Sequence, residues 1–248
     1  MKKITNRKKQ KLLITLAAFV CAFAVLFAGF GLYVNDYYRA DLKAIADYEA
    51  EVSVKEEMLD DGSLVYTKDG NKNGLIFYPG GKVEYTAYKP LMMACAEKGF
   101  TCILIKMPFN LAVFDKNAAD GVQDKFPEIE KWLIGGHSLG AAMAASYVSK
   151  NAEDFTGLFL LAGYSTADLS GSGLKVLSMY GSEDKVMNME KYEKYKTNLP
   201  LGFTEFEMVG GCHSYFGLYG MQKGDGEPTV SAKEQIKKAA AKIAVLVK

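Results

Sequence analysis

Histidine is nearly missing from this 248-residue chain, which has two, His137 and His213. There is also no Cys-x-x-Cys pair and no His-Glu-x-x-His pattern, so a usual zinc site cannot be assembled, and no metal or other cofactor is expected. Glycine-rich phosphate cradles are absent as well. Gly80-Gly81 stands without the further glycines of a dinucleotide-binding turn and without the Lys-Ser of a phosphate loop. No internal repeat or low-complexity linker interrupts the chain. Neither sign of charge dominates, with 30 Lys+Arg against 29 Asp+Glu. Six of the cations crowd into the first residues, as Lys2, Lys3, Arg7, Lys8, Lys9 and Lys11, which leaves the remainder mildly acidic and gives no basis for a nucleic-acid partner. Cysteine is sparse too. Cys21 lies in an apolar run, and the other three, Cys95, Cys102 and Cys212, are an odd number. Cys95 and Cys102 are open to a helix-to-strand bridge or to burial as free thiols.

What is present begins with an uninterrupted apolar stretch over 12–34, long enough to cross a bilayer core of ~30 Å as a helix. The basic tail, 1–11, lies on one side and a mixed-charge segment on the other, so the positive-inside rule keeps the tail in the cytoplasm and sends the rest across. A cleaved signal peptide is the rival reading, but its apolar part usually runs ~7–15 residues, shorter than this one. An uncleaved signal anchor is therefore expected, giving a single-pass cell-membrane protein with its catalytic part outside the cytoplasm. Over 35–57, Tyr37, Tyr38, Leu42, Ile45, Ala46 and Tyr48 recur at helical spacing, which predicts a stalk helix.

From 58 to 248, strand and helix patterns alternate. Strands are expected over 63–67, 74–78, 101–105, 131–135, 157–161, 174–180 and 203–208, and helices over 85–98, 189–197 and 232–247, with one more after the strand at 131–135. Such alternation argues for a mostly parallel sheet with helices on both faces, in one domain.

One junction carries chemistry. The apolar strand Lys131–Ile134 runs into Gly136-His137-Ser138-Leu139-Gly140 and then Ala141-Ala142-Met143-Ala144-Ala145. A strand that ends abruptly at a helix start forces the middle serine into a strained conformation and aims the helix's free N–H groups at its hydroxyl. Ser138 is thus the candidate nucleophile, and the Leu139 N–H a candidate oxyanion donor. A serine needs a base and a carboxylate, in the order Ser, Asp or Glu, His. His137 sits inside the turn, facing away from the hydroxyl, which leaves His213 in the glycine-bounded loop Gly210-Gly211-Cys212-His213. The loop closing the strand at 174–180 supplies two acids, Glu183 and Asp184. Pro79-Gly80-Gly81-Lys82-Val83, after the strand at 74–78, can bring an N–H of Gly81 or Lys82 to the oxyanion.

With Tyr78-Pro79-Gly80-Gly81-Lys82-Val83, Gly136-His137-Ser138-Leu139-Gly140, Gly181-Ser182-Glu183-Asp184 and Gly210-Gly211-Cys212-His213 in that order, the chain resembles the α/β-hydrolase superfamily, in particular its small members near the dienelactone hydrolases. It departs from true dienelactone hydrolases, which carry a cysteine nucleophile where this chain has Ser138. It also lacks a lipase-type His-Gly-Gly-Gly loop. The resemblance implies an α/β-hydrolase fold and favours Asp184 over Glu183 as the acid. The expected function is a membrane-anchored carboxylesterase working through an acyl-enzyme on a small-molecule ester. The alternatives are a catalytically silent binding protein on the same scaffold, or an acyltransferase or peptidase with the same triad. The Gly- and Ser-rich stretch at 162–173 is too short for a helical lid, so an open site is expected, with Tyr215-Phe216-Gly217-Leu218-Tyr219 either forming one wall or lying in the core.

Overall fold

A computed structural model describes residues 6–248; Lys2 and Lys3 of the basic tail lie outside the described residues. Two compact units divide between Tyr37 and Tyr38. In the first, the apolar run forms helix α1, Asn6–Asn35. Its apolar side chains are exposed all round, including Leu16, Phe19, Phe23, Leu26 and Phe27. Length and composition suffice for it to cross a membrane, although a signal sequence would pass the same test.

The second unit holds a sheet of eight strands: β1 (Lys55–Met58), β2 (Leu64–Thr67), β3 (Asn73–Tyr78), β4 (Phe100–Leu104), β5 (Lys131–His137), β6 (Gly157–Leu161), β7 (Lys175–Gly181) and β8 (Thr204–Met208). Their spatial order is β1-β2-β4-β3-β5-β6-β7-β8. The first two strands run antiparallel to their neighbours, and every pairing from β4 to β8 is parallel. The mostly parallel sheet expected from the pattern is therefore the observed one, and it has the α/β-hydrolase layout that the resemblance implies. Strands covered on both faces must be apolar on both, which is why β3, β4 and β6 read as continuous hydrophobic runs.

Residue alternation splits this apolar surface into two cores. Leu75, Phe77, Phe100 and Phe159 face one side. There they pack with Leu91 and Met92 of helix α3 (Lys89–Ala96) and Ile236, Ala239 and Ile243 of helix α6 (Ala232–Ile243). Ile76, Tyr78, Ile103, Ile134 and Leu160 face the other, under Ala141, Ala144, Ala145 and Val148 of helix α4 (Leu139–Val148). Each large side chain buried in this way contributes about 1.5–3 kcal/mol.

The expected stalk over 35–57 is corrected. Helix α2 covers only Leu42–Glu49, started by the Asp41 carboxylate accepting from Ala44 N–H. Its Ile45 and Tyr48 are buried, Tyr48 in the α3/α6 core, so the segment packs into the second unit instead of standing off it. The chain then forms β1, whose sequence Lys-Glu-Glu-Met is exposed throughout and carries no alternating signal. The second compact unit begins at Tyr38 and includes this segment. All three helices given bounds are shorter than expected. Tyr85–Tyr88 is a 3-10 turn that leads into α3, where Pro90 occupies the first turn; helix α5 (Met189–Tyr195) passes into a 3-10 turn at Lys196–Asn198; and Ala244–Val247 is a 3-10 turn after α6.

Candidate active site

Ser138 joins β5 to α4 with φ 52° and ψ −117°, a conformation unfavourable for a residue with a Cβ. Close packing enforces it. A Cβ at Gly136 would fall 2.4 Å from the Tyr78 carbonyl oxygen, and one at Gly140 would fall 2.2 Å from the same atom, so only glycine lets the turn sit on the end of β3. Ser138 N–H donates to Leu161 C=O at 2.8 Å, tying the turn to β6. Leu139 opens the helix, where a backbone N–H has no intrahelical acceptor and points out of the N-terminus.

Asp184 follows β7. Its Oδ1 accepts from Val186 N–H (2.9 Å) and Met187 N–H (2.8 Å), which leaves Oδ2 for His213 Nδ1 at 2.8 Å. Both side chains of this pair are 1% exposed. Glu183 is directed elsewhere, accepting from Ser182 Oγ. His213 Nε2 is buried and makes no hydrogen bond, so no direct bond joins base to serine. Ser138 and His213 nevertheless line one cavity of about 390 Å³, walled by Leu139, Met143, Tyr164, Val186 and Met187. Phe216 and Tyr219 are buried in the α3/α6 core, so of the two places open to the aromatic loop it takes the core.

The two candidate oxyanion donors after β3 differ. Lys82 N–H donates to Asn110 C=O at 2.8 Å, so that donor is committed. Gly81 packs on Leu139: a Cβ there would lie 2.7 Å from Leu139 Cδ2. This places the Gly81 backbone beside the helix start, and its N–H donates to no backbone acceptor among the described residues.

His137 lies behind the site with its ring centroid 4.6 Å from that of His213. Burial, followed by the neighbouring His213, drives its pKa well below the ordinary value. Tyr88 OH accepts from Gly80 N–H (3.1 Å) and lies 2.8 Å from His137 Nδ1. The hydroxyl proton has that nitrogen as its partner, so His137 accepts at Nδ1 and keeps its proton on Nε2. A histidine with a depressed folded pKa stabilises the protein fully above its unfolded pKa of about 6.5, and that contribution is lost as pH falls below it. Thermal unfolding measured between about pH 7.5 and 5.5 should therefore show a smaller acid-side loss in His137→Asn than in the wild type. Equal slopes would refute this role.

Two residues not singled out in the sequence hold the base loop. The Asp225 carboxylate accepts from His213 N–H (3.2 Å), Ser214 N–H (2.8 Å), Ser214 Oγ (2.6 Å) and Gly226 N–H (2.9 Å). Burial alone would raise its pKa, but these donors outweigh it and hold the group below the ordinary value. Gln235, fully buried on α6, grips Cys212 by both backbone groups, accepting from N–H at 3.0 Å and donating to C=O at 2.7 Å. Gly224-Asp225-Gly226 shows in the sequence as a turn, whereas nothing local marks Gln235. Cys95, Cys102 and Cys212 are buried free thiols; burial raises the Cys212 pKa to about 12, far from a thiolate nucleophile.

A strand-turn-helix serine, an aspartate–histidine pair and this strand order together define an α/β-hydrolase. The alpha/beta hydrolase family model matches residues 74–237, more than half of the chain, and the protein belongs to that family. Comparison with curated protein sequences gives no significant match. Among solved structures, the chain is similar to a predicted CIB-like hydrolase from Thermoplasma acidophilum (16% identity, 78% of this chain and 99% of that one, TM-score 0.55). It is likewise similar to TT1662 from Thermus thermophilus (14% identity, 79% and 99%, TM-score 0.59). At such identities the likeness concerns the fold.

Proposed function

We propose that this hydrolase is a carboxylesterase, tethered to the cell membrane by α1 with its catalytic unit outside the cytoplasm, that cleaves small accessible esters through Ser138, His213 and Asp184. The observation that carries the reading is the buried 2.8 Å bond between His213 Nδ1 and Asp184 Oδ2, with His213 lining the same cavity as Ser138. Asp184 fixes the tautomer that leaves Nε2 without a proton and able to take one. Ser138 Oγ attacks the ester carbonyl as its proton passes to His213 Nε2, and the N–H groups of Leu139 and Gly81 receive the oxyanion. Collapse expels the alcohol, which takes the proton from His213. Water, deprotonated by the same nitrogen, then releases the acid from the acyl-enzyme.

The lack of a Ser138–His213 hydrogen bond favours a second reading, a silent hydrolase-fold binding protein. Unliganded sites often hold this contact long, so it does not displace the first. A fluorophosphonate probe separates the two readings, since only a competent serine is labelled.

Substrate size follows from the cavity walls. The segment between β6 and β7 forms no helix, so no lid extends the apolar lining beyond the cavity. Each methylene is worth ~0.8 kcal/mol only when fully buried. Across p-nitrophenyl esters of graded length, kcat/KM should peak at short acyl chains, with no jump on micelle formation. A steady rise to long chains, or a burst at the micelle threshold, would overturn this preference.

A further inference from the structure

The segment immediately after the apolar helix is stitched to both halves of the site. Tyr38 forms an isolated parallel bridge to Val83: its N–H donates to Lys82 C=O at 2.8 Å, and its C=O accepts from Glu84 N–H at 2.9 Å. Ala40 N–H adds a bond to Glu84 Oε2 at 3.0 Å. On its other side, Tyr38 OH accepts from Lys223 N–H at 3.0 Å, its ring packs on Tyr219 at 5.8 Å, and Asp41 N–H donates to Leu218 C=O at 2.8 Å. The first set of bonds grips the loop that carries Gly81. The second grips 218–223, where Gln222 N–H donates to Ser214 Oγ, the hydroxyl that Asp225 also holds beside His213.

Lys82 shows why such a grip matters. Its φ of 58° is unfavourable for a side-chain-bearing residue and persists only where its surroundings fix it. Asn110 C=O holds the Lys82 N–H and Tyr38 N–H holds the Lys82 C=O, so the residue following Gly81 is clamped at both ends.

We propose that residues 38–41 act as a positioning strap, with Tyr38 as its key residue, that sets the oxyanion loop and the base loop in register with each other. This inference rests on the Ser138 hydrolase reading. The strap touches no substrate; it acts through Gly81 and His213. Oxyanion donors act chiefly in the transition state, and misplacements of ~1 Å are costly there, so loosening the strap should lower kcat and spare KM.

The test uses the full-length chain in detergent, with p-nitrophenyl acetate as substrate and fluorophosphonate titration to count competent sites, well below each variant's unfolding temperature. Tyr38→Ala keeps the main-chain bonds to Lys82 and Glu84 but loses the ring contact with Tyr219 and the Lys223 link, so the strap no longer holds 218–223 in register with the oxyanion loop. Its kcat per labelled site should fall about 10- to 100-fold, with KM within about twofold and the pH profile of kcat/KM unmoved, because the Asp184–His213 bond is untouched. Tyr38→Phe keeps the ring and loses only the Lys223 link, so it should recover most of that loss. Ile45→Ala removes buried volume from α2 while keeping every backbone bond of the strap, including that of Ile45 N–H to Asp41 C=O, and should keep wild-type kcat. Unchanged kcat in folded Tyr38→Ala, or an equal loss in Ile45→Ala, overturns the strap while leaving the hydrolase reading intact. A wild-type chain that neither labels nor turns over overturns both.

Discussion

Ser138→Ala is expected to abolish fluorophosphonate labelling and to lower kcat by about 10⁴- to 10⁶-fold, with the fold unchanged. The fold should survive because the Ser138 hydroxyl caps no helix N–H, and alanine meets the same strained φ of 52° that serine already bears. The bond from the backbone N–H to Leu161 C=O is kept. Thermal unfolding within a few degrees of wild type should therefore accompany near-complete loss of turnover. Gly140→Ala is the contrasting case, since its Cβ would lie 2.2 Å from the Tyr78 carbonyl oxygen and the elbow itself would have to move. If properly folded Ser138→Ala turned over at the wild-type rate, the serine mechanism would be wrong.

The elbow was legible because its two signals are local: a strand and a helix start that share five residues with two obligatory glycines. The mostly parallel sheet was legible in outline for a similar reason. Strands buried on both faces, such as Leu75–Tyr78 and Leu158–Leu161, need apolar residues at every position, and that requirement is written in the segment itself. β1 escaped notice because an edge strand of Lys, Glu, Glu and Met has one neighbour and no buried face, so pairing with β2 decides its conformation.

Longer-range interactions were not legible. Tyr38 has the helical spacing of a stalk, yet its backbone is claimed by Lys82 and Glu84, more than forty residues away, and tertiary hydrogen bonds override a weak local period. The Lys82 N–H is taken by Asn110 C=O, in a turn where the left-handed φ of 55° at Asn110 follows another at Phe109, neither carrying the glycine that would announce it. Asp184 over Glu183 is a matter of which carboxylate meets His213, and adjacent acids differ in nothing that composition records. The clamps of Asp225 and Gln235 on the base loop likewise exist only once α6 and the 224–226 turn are folded against it.

The bonds at Asp184 make its conservative replacement unusually informative. Asp184 Oδ1 accepts two backbone N–H groups, from Val186 and Met187, while Oδ2 faces His213 Nδ1. In Asp184→Asn only one oxygen remains. It must stay on the two backbone donors, because turning the amide would set its NH₂ against two N–H groups in a buried place and leave all of them unpaired, at ~1–3 kcal/mol each. The NH₂ is thereby delivered to His213, whose Nδ1 can accept it only by giving up its proton. The imidazole then carries its hydrogen on Nε2, the atom that must be bare to deprotonate Ser138. The substitution thus preserves the shape of the site and inverts the tautomer, so kcat should fall by about 10⁴-fold with little change in KM or unfolding temperature. Asp184→Ala, which lacks the amide donor and leaves the imidazole free to choose its tautomer, should be no worse than Asp184→Asn in kcat despite losing every bond. An asparagine variant within tenfold of wild type would mean that His213 takes its orientation from elsewhere, with the backbone clamps at Asp225 and Gln235 the first place to look.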